Sequence, residues 1–546
     1  MNTSTVDAYV YFKMLAAGAA NLKAHAAEIN DLNVFPIPDG DTGDNMLMTI
    51  SGAVDEDPSE SAELGSYSRQ VADAMLLSAR GNSGVILSRF FDGIADGLSG
   101  LRDAGTASLS EAFSAGVKSA YGAVLEPTEG TILTVAREAS EYVRQNRFEN
   151  AEELLDAFLE SAERSLMLTP ELLPVLKKAG VVDSGGAGLI RIFEGMRASL
   201  DGDFEAENEY TSKTKKLNFG KFDENSVLEY GYCTELLLRL QNVKTDIEKF
   251  DIKNITDFLE GIGNSVVAFK NGSIVKIHVH TMTPGKVLDF CQKYGEFLTV
   301  KIENMSLQHS NLDSSVQKNT KKNEERKKYG VIAAASGSGV KNMFSELGAD
   351  EIVDGGQSMN PSAADFIAAL GRVNAETVFI LPNNGNVILT ARQAAEMYDS
   401  CDVRVIESRS IGEGHAALTM MNTELESADE VEDEMREAMR NVTTAAISTC
   451  SRNTSDGKHL LYKGEYIGFI GDNILSADND RTDTAKRLID GIDFGTREIC
   501  IMICGRDSDE KEADEIKNYI KKTHPLCEIY VTDGGQNIYS YIFIIE

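Results

Sequence analysis

The chain has 546 residues, too many for one hydrophobic core, and this length predicts three or four domains. Its formal net charge of -33 argues against an extended nucleic-acid interface and gives an anionic nucleotide little long-range attraction unless a metal ion accompanies it. No apolar run approaches the roughly 20 residues of a membrane-spanning helix, and the N-terminus lacks a secretion-signal pattern. Seven scattered cysteines are not typical of a disulfide framework, so we expect a cytoplasmic protein.

Residues 7 to about 200 show successive amphipathic helical patterns without an alternating strand pattern between them, which predicts an all-α bundle or barrel over residues 1–203. Four connections between these helices have unusual Asp-, Gly-, Ser- or Thr-rich composition, and they cover residues 33–45, 78–84, 126–131 and 183–188. Each precedes a helical pattern, and helix N-termini expose unpaired N–H groups that bind phosphate. Helix caps are the alternative explanation for any one of them.

The first connection concentrates oxygen ligands in one turn. Asp39 and Asp41 are one glycine apart, Pro38 restricts the backbone before them, and Gly43 frees it after them. Asp44 follows closely, and carboxylate and amide oxygens are the ligands of Mg²⁺ that bridges the phosphates of ATP. An ordinary Asp-Gly turn that caps the next helix is the alternative, although three carboxylates within six residues repel one another without a cation.

The four connections supply the residues that we expect to bind the Mg-nucleotide. Besides the pair Asp39 and Asp41, these residues are Asn33, Thr42, Asp44, Asn45, Asn82, Ser83, Gly84, Thr128, Thr131, Gly185 and Gly186.

Two polar segments, residues 203–225 and 307–328, separate this part from the rest of the chain, and the second is almost devoid of apolar side chains. Between them the order strand, helix, strand, strand, helix, strand predicts a ferredoxin-like α+β sandwich over residues 226–306. The predicted strands are 229–240, 265–270, 273–281 and 296–303, and the predicted helices are 254–262 and 284–293.

In that sandwich the first and third strands are antiparallel neighbours, which places Cys233 near His278 and His280. The two histidines are two residues apart on one strand, and a thiolate with two imidazoles is a ligand set that Zn²⁺ favours. A fourth ligand is not evident, although Glu235 has the same strand parity as Cys233. Zinc binding therefore stays open beside a second interpretation, in which the histidines line a domain interface or handle phosphate.

From residue 329 the periodicity becomes that of an α/β domain, which we expect to extend to residue 546. The tetrapeptide Asp-Gly-Gly-Gln follows a predicted strand at residues 354–357 and again at 533–536, and it suggests two related halves with parallel strands and helices on the faces. The loop at residues 336–339 lacks the spacing and the lysine of a P-loop. We therefore expect this domain to bind a protein or ligand rather than to perform chemistry.

Residues 33–46 and 78–88 resemble the ATP-binding subunit of dihydroxyacetone kinases, and they resemble more closely the ATP-binding component of bacterial fatty acid kinases. The resemblance extends through residues 231–235, 278–281 and 353–361. It implies that Asp39 and Asp41 hold two Mg²⁺ ions on the phosphates of ATP, with Asn45 and the Ser83–Gly84 loop supporting the phosphate tail.

The resemblance also implies roles outside the helical domain. Cys233, His278 and His280 match a Cys/His/His cluster of the family's middle region, and the C-terminal region is expected to dock a separate protein that carries the acyl chain. The third Mg²⁺ ligand stays open between Asn33, where glycerone kinases have an aspartate, and Asp44, where many fatty acid kinases have a threonine.

The favoured hypothesis is an ATP-dependent kinase subunit that phosphorylates a fatty acid on a partner protein and forms an acyl phosphate and ADP. No segment of the helical domain has the pattern of a deep apolar tunnel, which agrees with a substrate delivered by a partner. A kinase for a small ketose or polyol and a non-catalytic nucleotide-sensing scaffold are the alternatives. A homodimer through the middle sandwich is also expected, because one face of a four-stranded sheet needs cover.

Overall fold

The computed structural model describes residues 3–33, 40–54, 58–59, 62–201, 232–241, 243–245, 247, 250, 252–260, 262–271, 274–281, 283–304, 326–355, 360–455, 459–495 and 497–546. The chain forms two compact units. One unit combines Met1–Ser212 with Arg326–Glu546, and the other comprises Lys213–Glu325.

The N-terminal part of the first unit is helical, as predicted. Its helices are α1 (Ala8–Asn30), α2 (Thr42–Ser51), α3 (Leu64–Ser78), α4 (Gly81–Gly97), α5 (Thr106–Gly122), α6 (Ile132–Gln145), α7 (Ala151–Leu172), α8 (Pro174–Ala179) and α9 (Ser184–Ala198). Among the helices in the described ranges, none has both the length and the apolar character needed to cross a bilayer.

Four phenylalanines from α4, α5, α7 and α9 form the centre of the helical core. The rings of Phe158 and Phe193 are stacked with centroids 4.2 Å apart, and Phe113 meets both edge-on at 5.4 and 5.5 Å. Phe90 completes the cluster at 6.3 Å from Phe193. Buried aromatic contacts of this kind stabilise packing beyond the area they bury, so the cluster fixes the positions of four helices at once.

The helices α1 and α9 approach closely because each has a glycine at the crossing point. A Cβ atom on Gly195 would lie 2.4 Å from the carbonyl oxygen of Ala17, and one on Gly18 would lie 2.8 Å from that of Ile192. Real side chains do not tolerate these distances. The close crossing matters for the site, because α9 begins beside the N-terminus of α2.

The second unit contains β1 (Tyr232–Leu240), α10 (Lys253–Glu260), β2 (Gly263–Asn271), β3 (Ile274–Thr281), α11 (Pro284–Cys291) and β4 (Gly295–Asn304). Its strands are ordered β2-β3-β1-β4, and all three pairings are antiparallel. This is the predicted ferredoxin-like arrangement. Leu236, Leu238 and Leu240 alternate along β1 as buried residues, which is the period-2 pattern of a half-buried strand.

The C-terminal part of the first unit is α/β. Its elements are β5 (Lys327–Ala335), α12 (Ser338–Glu346), β6 (Glu351–Asp354), α13 (Ala363–Leu370), β7 (Ala375–Leu381), α14 (Ile388–Glu396), β8 (Asp402–Val405), α15 (Ile411–Thr419), α16 (Ala428–Asn441), β9 (Thr443–Thr449), β10 (Thr454–Ser455), β11 (Leu460–Leu461), β12 (Tyr466–Ile470), β13 (Asn473–Asp478), α17 (Arg481–Asp490), β14 (Ile499–Cys504), α18 (Glu510–Thr523), β15 (Glu528–Asp533) and β16 (Tyr539–Ile545).

These strands form two principal sheets of different kinds. The first is parallel throughout, with the order β6-β5-β7-β8. The second has the order β13-β12-β9-β16-β14-β15, and only its β14–β15 pair is parallel. The prediction of two related parallel halves is therefore wrong for the second sheet. The prediction failed because the sequence pattern did not reveal several strands of this sheet. These strands include the β12–β13 hairpin and the final strand β16, which runs antiparallel between β9 and β14.

The helical part and the first parallel sheet are joined by specific hydrogen bonds. Gln393 on α14 is buried, and its side chain donates to the carbonyl oxygen of Leu76 at 2.6 Å and accepts from Arg89 Nε at 3.1 Å. The guanidinium of Arg80, just before α4, donates to the carbonyl oxygen of Asn360 at 2.6 Å. The bonds of Gln393 hold α14 against α3 and α4, and the bond from Arg80 holds the loop that contains Asn360 beside the N-terminus of α4.

Gly195→Val should lower the free energy of unfolding of the first unit by about 1–3 kcal/mol, because the side chain enters the α1–α9 crossing. Gly122→Ala is the matched control, since a Cβ at Gly122 meets nothing within 4 Å. Urea unfolding followed by circular dichroism measures both. Equal stability of the two variants would contradict a tight crossing.

Candidate functional site

The N-terminus of α2 shows how the Asp-Gly turn is used. Asp41 occupies the N-cap position but makes no side-chain capping bond. The amide oxygen of Asn30 on α1 accepts instead from the N–H groups of Gly43 at 2.7 Å and Asp44 at 3.4 Å. Because Asn30 satisfies these donors, the carboxylate of Asp41 is left available for another partner. The structure thus disfavours the plain capping explanation for Asp41.

The carboxylate of Asp41 lies in a desolvated place between the helical and α/β parts of the first unit. Its Oδ2 accepts a hydrogen bond from Asn360 Nδ2 at 2.6 Å, and Asn45 also bonds to it. Burial raises the pKa of Asp41 from its ordinary 3.8 to about 7, the bond from Asn45 opposes this, and the nearby charge of Asp44 adds to it. The described residues offer this carboxylate no cationic partner, and a bound cation would offset the cost of burying its charge.

Three amide oxygens around this carboxylate are buried without a hydrogen-bond partner among the described residues. They belong to Asn45, Asn82 and Asn360. Buried polar atoms are normally satisfied, and oxygen donors around a carboxylate suit a hard cation such as Mg²⁺. The donor set therefore fits Mg²⁺. Among the described side chains, however, no three His, Cys, Asp or Glu groups come together as a metal cluster.

A cavity of about 450 Å³ brings six of the thirteen predicted nucleotide-site residues together. The helical part supplies one wall, formed by Asn33, Asp41, Thr42, Asn45, Asn82 and Ser83. The structure thus unites residues from the first two predicted connections.

The opposite wall of the cavity comes from the C-terminal part, and sequence reasoning missed it. The loops after β7 and β8 contribute Asn383, Asn384, Gly385, Asn386, Arg409 and Ser410, and Thr444, Asp472 and Tyr539 also line this wall. Ligands of parallel α/β sheets bind beyond the carboxyl ends of the strands, and this rule was the available signal. The backbone of Asn383 has a φ of +56°, and hydrogen bonds of its side chain with Ala334 and Ser408 stabilise this strained conformation.

Asn33 and Asp44, the two candidates for a third metal ligand, are placed differently. Asn33 lines the cavity, and its amide oxygen accepts from the hydroxyls of Thr42 at 2.7 Å and Ser184 at 3.3 Å. Asp44 is exposed and does not line it, and its Oδ2 accepts from Asn30 Nδ2 at 2.9 Å. Asp39 lies outside the described residues.

The third and fourth connections are not among the residues that line the cavity. Thr128 is exposed, and its carbonyl oxygen accepts from the hydroxyl of Thr131, which caps α6.

Gly84 of the second connection is not among the residues that line the cavity either. It packs against Thr49, and a Cβ at Gly84 would lie 2.4 Å from the Thr49 hydroxyl.

The N-terminus of α9 already holds an anion of its own. Asp183 Oδ2 accepts from the N–H of Gly186 at 2.7 Å, and the same carboxyl bonds to the backbone of Gly185 and of Ile132 at the start of α6. Burial raises the pKa of Asp183 to about 6, while these three bonds oppose the rise. Because Asp183 occupies these donors, the glycines serve as a capped helix start in this structure.

For Cys233, His278 and His280 the structure provides the backbone register. Cys233 is the Cα partner of His280, and Glu235 is that of His278, in the antiparallel β1–β3 pair. The backbone register therefore places the three residues in one short stretch of the sheet, as the predicted topology required. Zinc binding and an interface role both stay predictions, because their side chains are outside the described part.

Three protein-family models match the chain. The FakA-like model for the C-terminal region of fatty acid kinase matches residues 330–546, and the FakA-like model for its middle domain matches residues 229–312. The DAK2 domain model matches residues 36–198.

Known proteins resemble the chain over its full length. It is 35% identical over 559 residues to Protein YloV of Bacillus subtilis (strain 168), and the match covers 100% of both chains. An uncharacterized protein of Staphylococcus aureus (strain MRSA252) is 34% identical over 556 residues, again with 100% of both covered. A solved structure on fatty acid binding of a DegV family protein from Thermus thermophilus aligns with a TM-score of 0.31 and 14% identity over 40% of this chain and 99% of that one.

Binding of Mg-ATP should become tighter as the pH rises from about 6 to about 8, because the cation must displace the proton that burial retains on Asp41.

In the ligand-free protein, the raised pKa of Asp41 should make the free energy of unfolding fall as the pH rises between about 4 and 7, since the unfolded chain loses this proton first. Asp41→Asn should remove both dependences. Calorimetry in two buffers of different ionisation enthalpy measures the protons released.

The matched variant for this experiment is Asp44→Asn, which changes a carboxylate that does not line the cavity. It should alter the affinity for Mg-ATP less than Asp41→Asn does. Binding that is independent of pH in the unaltered protein would contradict the role of Asp41.

Proposed function

Since the chain belongs to the FakA-like family of fatty acid kinase proteins, we propose that it is the ATP-dependent component that phosphorylates a fatty acid held by a separate fatty-acid-binding protein. The DAK2 match identifies the helical part as a kinase-like domain. The observation that carries the proposal is the carboxylate of Asp41, which is desolvated, released from capping by Asn30 and close to amides whose oxygens have no partner among the described residues.

The reaction requires little covalent help from the protein. A carboxylate oxygen of the acid forms a bond to the γ-phosphorus of ATP while the bond to the β–γ bridging oxygen breaks, and ADP leaves with that electron pair. A fatty acid is already ionised at neutral pH, so no general base has to remove a proton. The protein's task is to align two anions, exclude water and offset their charge.

The residues of the helical wall divide this task. Asp39 and Asp41 hold Mg²⁺, with Asn33 as the favoured third ligand because it lines the cavity and Asp44 does not. Mg²⁺, when bound, neutralises charge on the phosphates and orients them. Asn45, Asn82 and Ser83 lie where they can contact the phosphate tail, at the N-termini of α2 and α4.

The fatty acid comes on a partner in this proposal. The support is family membership, together with a cavity whose helical wall is polar: Asn33, Asp41, Thr42, Asn45, Asn82 and Ser83 offer no surface for a long apolar chain. A separate carrier protein solves this problem by keeping the apolar tail out of water while the carboxylate end is exposed to the kinase.

The purified chain with Mg-ATP, oleate and a fatty-acid-binding partner should form acyl phosphate, which hydroxylamine traps as acyl hydroxamate. Asp39→Asn and Asp41→Asn should each reduce the rate about 100-fold or more, because a lost metal ligand removes several kcal/mol of charge stabilisation. Asp103→Asn, an exposed aspartate of the same helical part, should have no effect.

The acceptor decides between the remaining interpretations. Phosphorylation of dihydroxyacetone without any acyl hydroxamate would replace the proposal by a small-polyol kinase. Tight ATP binding with no turnover on either acceptor would indicate a nucleotide-sensing scaffold.

A further inference from the structure

The cavity wall opposite Asp41 carries one cationic group that the nucleotide site does not use. Among the described residues that line the cavity, Arg409 is the only cationic side chain, and its guanidinium makes no ion pair or hydrogen bond with the described part of the chain. In a protein with a net charge of -33, most arginines have carboxylate partners close by. Arg404, five residues earlier, contacts three of them.

The position of Arg409 is fixed by its backbone. The residue follows β8, and its N–H donates to the carboxylate of Glu413 on the first turn of α15. Ser410 caps that helix by accepting from Glu413 N–H at 3.2 Å. The backbone is therefore rigid while the side chain can reach a ligand, as arginine does when it binds a carboxylate.

Apolar side chains adjoin Arg409 on the same wall. Ile411 follows it two residues along, and Phe469 and Ile542 come from the second sheet. Asp472 in the β12–β13 turn is exposed and also lines the cavity. The mouth of the cavity therefore lies beside the β12–β13 turn. Among its polar side chains, the C-terminal wall thus places one cation beside a small apolar surface, whereas the helical wall presents a carboxylate and amides.

The C-terminal part of the chain, which carries this wall, is held against the helical part by contacts of residues 360–363. Asn360 donates to Asp41, Arg80 donates to the Asn360 carbonyl oxygen, and Ala363 N–H donates to the carbonyl oxygen of Ala79 at 3.3 Å. Asn360 is fully buried. These contacts hold the two parts of the first unit together, and the cavity between them is lined by Arg409 from one part and by Asp41 from the other.

We propose that the loops after β7 and β8 form the acceptor half of the site, where Arg409 binds the carboxylate end of an acyl substrate and Ile411, Phe469 and Ile542 contact its first methylene groups. This inference rests on the proposed function and extends it: the carrier retains the tail, while the head of the acyl group enters the cavity from the mouth. The C-terminal part then contributes directly to phosphoryl transfer and does more than dock the carrier.

The test measures binding of octanoate, labelled with ¹³C at the carboxyl carbon, to the full chain by nuclear magnetic resonance in the presence of Mg-ADP. Arg409→Ala should weaken binding at least about tenfold, in line with the loss of a charge-assisted bond. Arg409→Lys should be intermediate, because lysine keeps the charge but not the bidentate geometry. Arg440→Ala on the exposed face of α16 is the control and should bind like the unaltered chain.

Ligand controls identify the chemistry of the subsite. Butyrate should bind more weakly than octanoate because it buries less apolar surface, and octylamine should not compete. Octanoate binding that does not depend on Arg409, or no octanoate binding at all, would overturn the proposal. Inorganic phosphate that competes as strongly as octanoate would also overturn it, since Arg409 would then belong to the nucleotide.

Activity separates this inference from the proposed function. With the acyl-loaded carrier, Arg409→Ala should lower the rate of acyl phosphate formation and leave the affinity for Mg-ATP unchanged. If octanoate binding depends on Arg409 while no acyl phosphate forms, the kinase function fails and the acyl-carboxylate subsite stands. If acyl phosphate forms at the same rate in Arg409→Ala, the subsite fails and the kinase function stands.

Discussion

The carboxylate of Asp41 is kept out of water without a cationic partner among the described residues, and the surrounding structure is arranged to make that possible. Asn30 takes over the capping of α2, Asn45 and Asn360 bond to the carboxylate, and the cost of desolvation is visible as a raised pKa. An unpaired desolvated charge is one of the more expensive features a fold can carry. It persists here because α2 is packed closely on both sides: a Cβ on Gly43 would lie 2.4 Å from the carbonyl oxygen of Ala26 on α1, and one on Gly84 of α4 would lie 2.4 Å from the Thr49 hydroxyl.

The same constraint links two parts of the chain that differ in architecture. A helical bundle provides helix N-termini and carboxylates, which suit metal ions and phosphates. A parallel sheet provides loops beyond the carboxyl ends of its strands, which suit a second ligand. The cavity lies where these two kinds of surface meet. The helical wall is polar throughout, whereas the C-terminal wall adds an arginine and apolar side chains to its own polar groups.

The sequence predicted those features that depend on local patterns. The strands of the middle domain are eight to ten residues long and alternate cleanly, so their order and pairing were predictable. In the second sheet β12 has only five residues, and the nearby strands β10 and β11 have two each, and runs this short carry no readable period.

The aspartate turn was recognisable from composition, whereas the replacement of Asp41 by Asn30 as the cap depends on how α1 packs and leaves no local signal. Gly185 and Gly186 were expected to bind phosphate because they begin a helix, but the pattern gave no indication that Asp183 fills those donors and ties α9 to α6. Arg409 had no motif around it, since the juxtaposition of single distant residues is a property of tertiary packing.

The bond from Asn360 to Asp41 spans 319 residues of sequence. During synthesis the helical domain leaves the ribosome long before Asn360 is made, and the wall that carries Arg409 follows later still. The two walls of the cavity therefore exist together only after the C-terminal part has been made and has folded. Until then, the aspartate turn has no second wall opposite it.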